Sequence, residues 1–153
     1  MINVFITVGT TPFDELIKFC DNNIDTTKFK VLAQTSNHSR YIANNITTIE
    51  FTDNIDKLYK SADIIISHAG AGSVYKILER NKKAIFVPNF TMKDNHQDDI
   101  CRFVKDNHYA LTLDIRETMD LNTILFSITK KTFTRYLTAN STLIAEIYRA
   151  IDS

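Results

Sequence analysis

The segment ISHAGAGSVYKI, residues 66–77, decides how this chain is read. It holds two of only three glycines in 153 residues. A chain of that length at average usage carries about 11. Where glycine is so scarce, each one marks a place where the backbone needs something other residues do not allow. Gly70 and Gly72 follow the apolar run ADIIISH (62–68), and residues 72–80 turn Val74, Ile77 and Leu78 to one helical face. Strand, tight glycine turn, helix: this is one βα unit. A loop of that kind lets the backbone approach a ligand closely.

The pattern repeats on both sides. Toward the N-terminus, NVFITV (3–8), FKVLAQT (29–35) and ITTIEF (46–51) are strands. Thr11 as N-cap, Pro12 at the first helical position and Asp14 closing a capping box predict a helix with Phe13, Leu16, Ile17 and Cys20 inward. DNIDKLYKSA (53–62) is a short helix. Toward the C-terminus, KAIFVPN (83–89) is a fifth strand and YALTLD (109–114) a sixth. Between them lies a helix over 94–107 with Ile100, Cys101, Phe103 and Val104 inward. Leu121, Ile124, Leu125 and Ile128 share a helix face, and a last helix carries Leu143, Ile144, Ile147, Tyr148 and Ile151. Alternating strands and helices predict a parallel sheet, and uniformly apolar strands predict cover on both faces. The expected fold class is therefore α/β: one doubly wound, Rossmann-like, mostly parallel sheet of about six strands. It forms a single domain over 1–153 with C-terminal helices in 118–152.

Composition narrows the function. Lys plus Arg and Asp plus Glu are 18 each, so there is no basic excess of the kind a nucleic-acid binder shows. No apolar run approaches a membrane span, and MINVFITVG lacks the marks of a signal peptide. Cys20 and Cys101 lie on helical stripes without metal spacing and read as reduced, buried thiols. A metal site would have only His96 with Asp94, Asp98 or Asp99, too few ligands at usable spacing, so none is expected.

Gly9, Gly70, Gly72, Pro12 and Pro88 all follow strand ends, at the edge where open α/β sheets bind ligands. The loops there differ in charge. The helix after Gly9 carries Asp14 and Glu15 in its first turn, which would repel a phosphate. The helix after His68–Ser73 has no acid until Glu79, so its first turn offers bare amides, the Ser73 hydroxyl and a positive dipole end. That is a phosphate site, though neither a P-loop nor a GxGxxG fingerprint. The fifth strand leads into VPNFTMKDNHQDD (87–99). There Asp94 and Gln97 fit a capping box, while Asn89, Asn95, His96 and Gln97 offer the donors and acceptors that suit sugar hydroxyls.

With VFITVGTTPFDELI at 4–17, SADIIISHAGAGS at 61–73 and VPN…DNHQ after them, the chain resembles the C-terminal, donor-binding domain of family 28 glycosyltransferases over residues 1–110. In length and pattern it looks like the small catalytic subunit of two-component UDP-sugar transferases. One branch of these is the dolichol-pathway N-acetylglucosamine transferase; another serves bacterial exopolysaccharide and capsule synthesis. The resemblance implies half of a GT-B enzyme. It sets the HAGAGS loop, Gly70, Ala71, Gly72 and Ser73, against the diphosphate, and Asp94, Asn95, His96 and Gln97 near the donor sugar. With Gly9, Thr10, Thr11, His68 and Asn89, these make the expected donor-binding set. UDP-sugar is the implied substrate, with no cofactor and no metal, because the helix N-terminus supplies the charge.

The chain departs from the family at Lys76, where a glutamate usually contacts the ribose; a lysine can only donate. Glu79 is the nearest acid, better suited to surface pairing, and Lys76 itself either meets phosphate or an acidic sugar, or is solvated. His68 and His96 are candidate bases by chemistry but belong to the donor loops. The base is thus expected from a membrane-anchored, Rossmann-like acceptor-binding partner. With it, the chain would transfer a hexose or N-acetylhexosamine, with inversion, to a lipid-linked glycan acceptor at the cytoplasmic face of the membrane. A non-catalytic nucleotide or phospholigand-binding module would show the same pocket.

Overall fold

Each apolar run forms the strand expected of it, and all pairings are parallel. β1 (Ile2–Thr7), β2 (Phe29–Gln34), β3 (Thr47–Ile49), β4 (Ile64–His68), β5 (Lys83–Val87) and β6 (Leu111–Thr112) form one sheet in the order β3-β2-β1-β4-β5-β6. The computed structural model describes residues 1–137. Connections run outward in both directions from β1 and β4, so the chain leaves a crevice where the order switches.

Period-two alternation sorts the strand side chains to the two faces. Val4, Ile6, Ile64 and Ile66 pack against α1 (Asp14–Asn23) and α5 (Leu121–Lys130). Phe5, Ile65, Ala84 and Phe86 pack against α2 (Ile55–Ser61), α3 (Ala71–Glu79) and α4 (His96–Asp106). Burial on both faces explains why these strands are apolar throughout. Each large side chain so buried contributes about 1.5–3 kcal/mol. Cys20 and Cys101 are buried free thiols; burial pushes both up, Cys101 to about 12. Among the described residues no helix is long and apolar enough to cross a membrane.

Several local expectations differ from the structure, some because a longer-range partner claims the side chain. α1 starts at Asp14, with Phe13 at the N-cap and no side-chain cap, so Thr11 and Pro12 stay in the loop. The Asp14 carboxylate instead accepts from the Ser39 hydroxyl (2.6 Å) and the Arg40 amide (2.9 Å). β3 is three residues long, because the crossing before it is pinned elsewhere. Buried Asp21 accepts from the Tyr41 hydroxyl (2.6 Å) and the amides of Asn44 (2.9 Å), Asn45 (2.8 Å) and Ile46 (3.1 Å). Burial pushes that carboxyl up, and these donors outweigh it and hold it below its ordinary value. β6 keeps only two of the six residues expected at 109–114. The expected last helix, with Leu143, Ile144, Ile147, Tyr148 and Ile151, lies outside the described residues.

Candidate functional site

At the switch between β1 and β4 the sheet edge opens into a cleft of about 420 Å³. Its floor is Thr7 and Gln34, at the ends of β1 and β2. One wall is the β4–α3 turn, and the other is the β3–α2 loop with Phe51, Thr52 and Asp53. The floor is saturated. Thr7 Oγ1 donates to Gln34 Oε1 (2.5 Å), and Gln34 Nε2 donates to the carbonyls of Gly9 (3.2 Å) and Thr35 (2.8 Å).

The glycines of the site have different reasons. His68 ends β4 with its ring between Gly9 and Gly70. A Cβ on Gly9 would come within 2.7 Å of His68 Nε2, and one on Gly70 would overlap the same ring. Gly9 also has φ of +69°, which other residues resist. Gly70 has ordinary extended backbone, φ −71° and ψ 136°. Gly70 thus has a reason in the packed histidine that its position in the sequence did not show. Gly72 is the reverse: nothing lies within 4 Å of where its Cβ would be, and Gly72 lines the cleft. His68 Nε2 lies 3.1 Å from Ser73 Oγ, and burial pushes the imidazole down to about 4, so it is neutral at physiological pH.

α3 supplies the donors. Its N-cap Gly70 has no capping side chain, and Val74 is the first residue to donate back, to the Gly70 carbonyl (2.9 Å). The amides of Ala71, Gly72 and Ser73 precede that bond at the mouth of the cleft. The described helices otherwise guard their N-termini. α1, α2 and α4 carry acids in the first turn, and α5 is capped by Asp120. Only α3 has neither. Dipole and open amides together make this an anion site.

Of the expected donor-binding residues, Gly9, Thr10, His68, Gly70, Ala71, Gly72 and Ser73 line the cleft. Thr11, Asn89, Asp94, Asn95, His96 and Gln97 sit outside it on the same sheet edge. Gln97 Oε1 accepts from the amides of Ala69 (3.1 Å) and Asn89 (3.0 Å), tying the loop after β4 to the loop after β5. Asn89 is buried; its Oδ1 accepts from the Thr91 amide and hydroxyl, and its Nδ2 donates to the Pro12 carbonyl (3.4 Å). Asp94 accepts from the His96 amide (3.1 Å). The capping box at 94–97 does not form, because α4 begins at His96 with an uncapped Asn95 and Gln97 is engaged across strands. The side chains of Asn95 and His96 are exposed.

Lys76 lines the cleft. Glu79 does not; it takes a hydrogen bond from Tyr75, which raises that phenol. Sequence reasoning missed Gln34, Phe51 and Asp53. A polar Gln34 ending an apolar strand was a signal. Phe51 and Asp53 were hidden in a strand and a helix drawn too long. A second recess of about 380 Å³ lies at the opposite sheet edge, by Lys82 and Lys83. Those ammoniums are occupied with the carbonyls of Lys60, Ala62 and Thr129.

A family profile described as the glycosyltransferase family 28 C-terminal domain matches residues 3–142. The mouse "UDP-N-acetylglucosamine transferase subunit ALG13" is 31% identical over 121 residues, 71% of this chain and 10% of its own length. A Sulfurihydrogenibium UDP-N-acetylglucosamine–N-acetylmuramyl-(pentapeptide) pyrophosphoryl-undecaprenol N-acetylglucosamine transferase is 45% identical over 62 residues, 40% of this chain and 18% of its own. The chain thus spans a small part of these relatives. An NMR structure of ALG13 superposes with a TM-score of 0.65 at 21% identity, covering 99% of this chain and 98% of that one.

Proposed function

The chain belongs to the glycosyltransferase family 28 C-terminal domain family, and on that premise we propose that it is the donor-binding subunit of an inverting UDP-sugar glycosyltransferase. The observation that carries this reading is the uncapped, acid-free N-terminus of α3 opening into the cleft at the switch point. The diphosphate of the donor sits on the amides of Ala71, Gly72 and Ser73, in the volume that Gly72 leaves open. The half-exposed Phe51 ring offers a face for the base. The sugar extends toward the β5–α4 loop, where Asn95 and His96 have exposed side chains.

In the transfer, an acceptor hydroxyl attacks the anomeric carbon and the bond to the diphosphate breaks, its electron pair leaving with UDP. Negative charge grows on the leaving oxygen, where the preorganised amides of α3 stabilise it. This arrangement asks for no metal ion in the site. The attacking hydroxyl must lose a proton. His68 is enclosed between two glycines and engaged with Ser73, and His96 lies in the sugar loop. The base therefore comes from a membrane-anchored, acceptor-binding partner. The acceptor is a lipid-linked glycan, extended by a hexose or N-acetylhexosamine at the cytoplasmic membrane face.

Calorimetric titration of the full chain with UDP tests donor binding, and a UDP-sugar screen against a lipid-linked acceptor, with and without the copurified partner, tests catalysis. Micromolar UDP binding, with turnover only when the partner is present, is expected. Absence of UDP binding overturns the donor site, and multiple turnover by the chain alone overturns the two-component reading. Binding without turnover, even with the partner, identifies a nucleotide-binding module instead.

A further inference from the structure

Two charged side chains line the cleft, Asp53 from the β3–α2 loop and Lys76 from α3. Among the described residues neither side chain has a hydrogen-bond or ion-pair partner, and they do not reach one another. Further along α3, the charges at 79 and 80 are paired off. Arg80 binds Asp56 (2.6 Å), and Glu79 takes the Tyr75 hydroxyl.

Their positions assign them different parts of a ligand. Lys76 is four residues beyond Gly72, so both lie on one face of α3. Helical side chains lean toward the helix N-terminus, which carries the Lys76 stem over the turn that begins at Gly72. Gly72 has no side chain to obstruct it, and the space there is open. From there the ammonium has the reach to meet a phosphate seated on the free amides. Asp53 stands on the opposite wall, two residues after Phe51. An unpaired carboxylate facing an anion site weakens it, unless it meets a hydroxyl. Several other acceptors lining the cleft are engaged: Gln34 Oε1 with Thr7, the Gly9 carbonyl with Gln34, Thr52 Oγ1 with the Asn54 amide and Ser73 Oγ with His68; Asp53 is the carboxylate among those lining it.

We propose that Asp53 is the residue that recognises the ribose diol of the nucleotide, while Lys76 donates to its phosphates. This rests on the donor-binding reading above. The diol hydroxyls donate to the Asp53 carboxylate in charge-assisted hydrogen bonds, about twice as strong as neutral ones. A base lying on the Phe51 ring places its ribose beside Asp53 and its diphosphate toward α3. The pair makes the site select a ribonucleoside diphosphate over its deoxy counterpart.

The test is calorimetric titration of the full chain with UDP, 2′-deoxy-UDP and 3′-deoxy-UDP, repeated for Asp53→Ala and Lys76→Met. Both positions are exposed, and circular dichroism checks the fold. The wild type is expected to prefer UDP over at least one deoxy analogue by about tenfold. Asp53→Ala should bind UDP about tenfold more weakly and lose the preference, because substitution and analogue remove the same bond. Lys76→Met should weaken all three nucleotides equally and flatten the salt dependence of binding. If wild-type chain binds UDP but Asp53→Ala keeps the UDP preference, this inference is overturned and the donor site stands. If the wild type binds none of the three, the donor site falls and the inference with it.

Discussion

In the loop after β4 the backbone donors are left open, while after β5 the side chains of Asn89 and Gln97 are turned to neighbouring loops and used up. Both loops leave the carboxyl edge of the sheet, and both lead into helices of similar length, α3 and α4. The first has glycines, an enclosed neutral histidine and a helix start without cap or acid. The second has Asn89 and Gln97 stitched to three loops, and a helix whose first turn carries Asp98 and Asp99. One loop has the open donors that the proposed anion receptor needs; the other is the brace that holds it in place. Gln97 shows the link most directly, since its Oε1 fixes the Ala69 amide one residue before the α3 N-cap.

The largest expected effect follows from the two glycines of the receptor loop. Gly72→Val fills open volume, so the fold should persist; valine is no worse than glycine in a helix. UDP affinity should fall about a hundredfold, about 2.7 kcal/mol, because the side chain takes the phosphate's place. Gly70→Ala should behave oppositely, costing about 2 kcal/mol of stability as the new Cβ displaces the His68 ring. Titration with UDP and a denaturant melt separate the two. A folded Gly72→Val with unchanged affinity would mean that this loop only turns the chain.

A smaller effect tests the brace. Gln97→Ala leaves the buried amides of Ala69 and Asn89 without an acceptor, at about 1–3 kcal/mol each. Stability should drop, and UDP and UDP-sugar affinities should drop together as the receptor loop loosens. Gln97→Glu keeps an oxygen for both amides and should recover most of the stability. It removes the Nε2 donor, so any direct sugar contact by Gln97 would then appear as a loss specific to UDP-sugar. Equal stability of the alanine and glutamate variants would break the distinction between brace and receptor.

How much of this was legible in the sequence depends on the range of the interaction. Strand runs and helix stripes are local patterns, and the sheet followed from them. The bare start of α3 was legible because it is an absence of acids over a few residues. What the sequence hid was every polar side chain claimed from a distance. Asp14 reads as the end of a capping box but serves Ser39 and Arg40, 25 and 26 residues on. Gln97 reads as a cap or a sugar contact but joins two strand ends. Gly70 reads as room for a ligand, and only the packed His68 ring reveals its other purpose. Asp53 was taken into a helix that in fact begins at Ile55, and so its place on the cleft wall was invisible.

The receptor loop should also leave a mark on acid stability. Burial lowers His68 to about 4, from an ordinary value of 6.5. Between those values the unfolded chain binds a proton that the folded chain refuses. Stability from this group is therefore complete above about pH 6.5 and falls as pH drops toward 4. His68→Gln should show a shallower loss of denaturation free energy between pH 7 and pH 4.5 than the wild type, whatever its stability at neutral pH. An identical slope in both would mean that the ring is solvated and not enclosed between the glycines.

The smallest expected effect falls on the groups the brace leaves over. Asn95 and His96 sit at the start of α4 with exposed side chains, and His96 Nδ1 lies 3.8 Å from the Asp94 carboxylate. Substitution at such a surface position moves stability by about 0.5 kcal/mol or less. Neither residue lines the cleft, so UDP affinity should be unchanged in His96→Ala. If the donor sugar extends from the α3 amides toward this loop, the variant loses one hydrogen bond to a hydroxyl, about 1 kcal/mol or about fivefold in UDP-sugar affinity. The informative quantity is the ratio of UDP-sugar to UDP affinity, since it cancels any small shift of the receptor loop. A ratio that falls for His96→Ala and holds for Gln97→Glu assigns sugar recognition to the exposed side chains and bracing to the engaged one. A ratio that stays constant in both variants means that the sugar turns away from α4, and the two loops do not share a ligand.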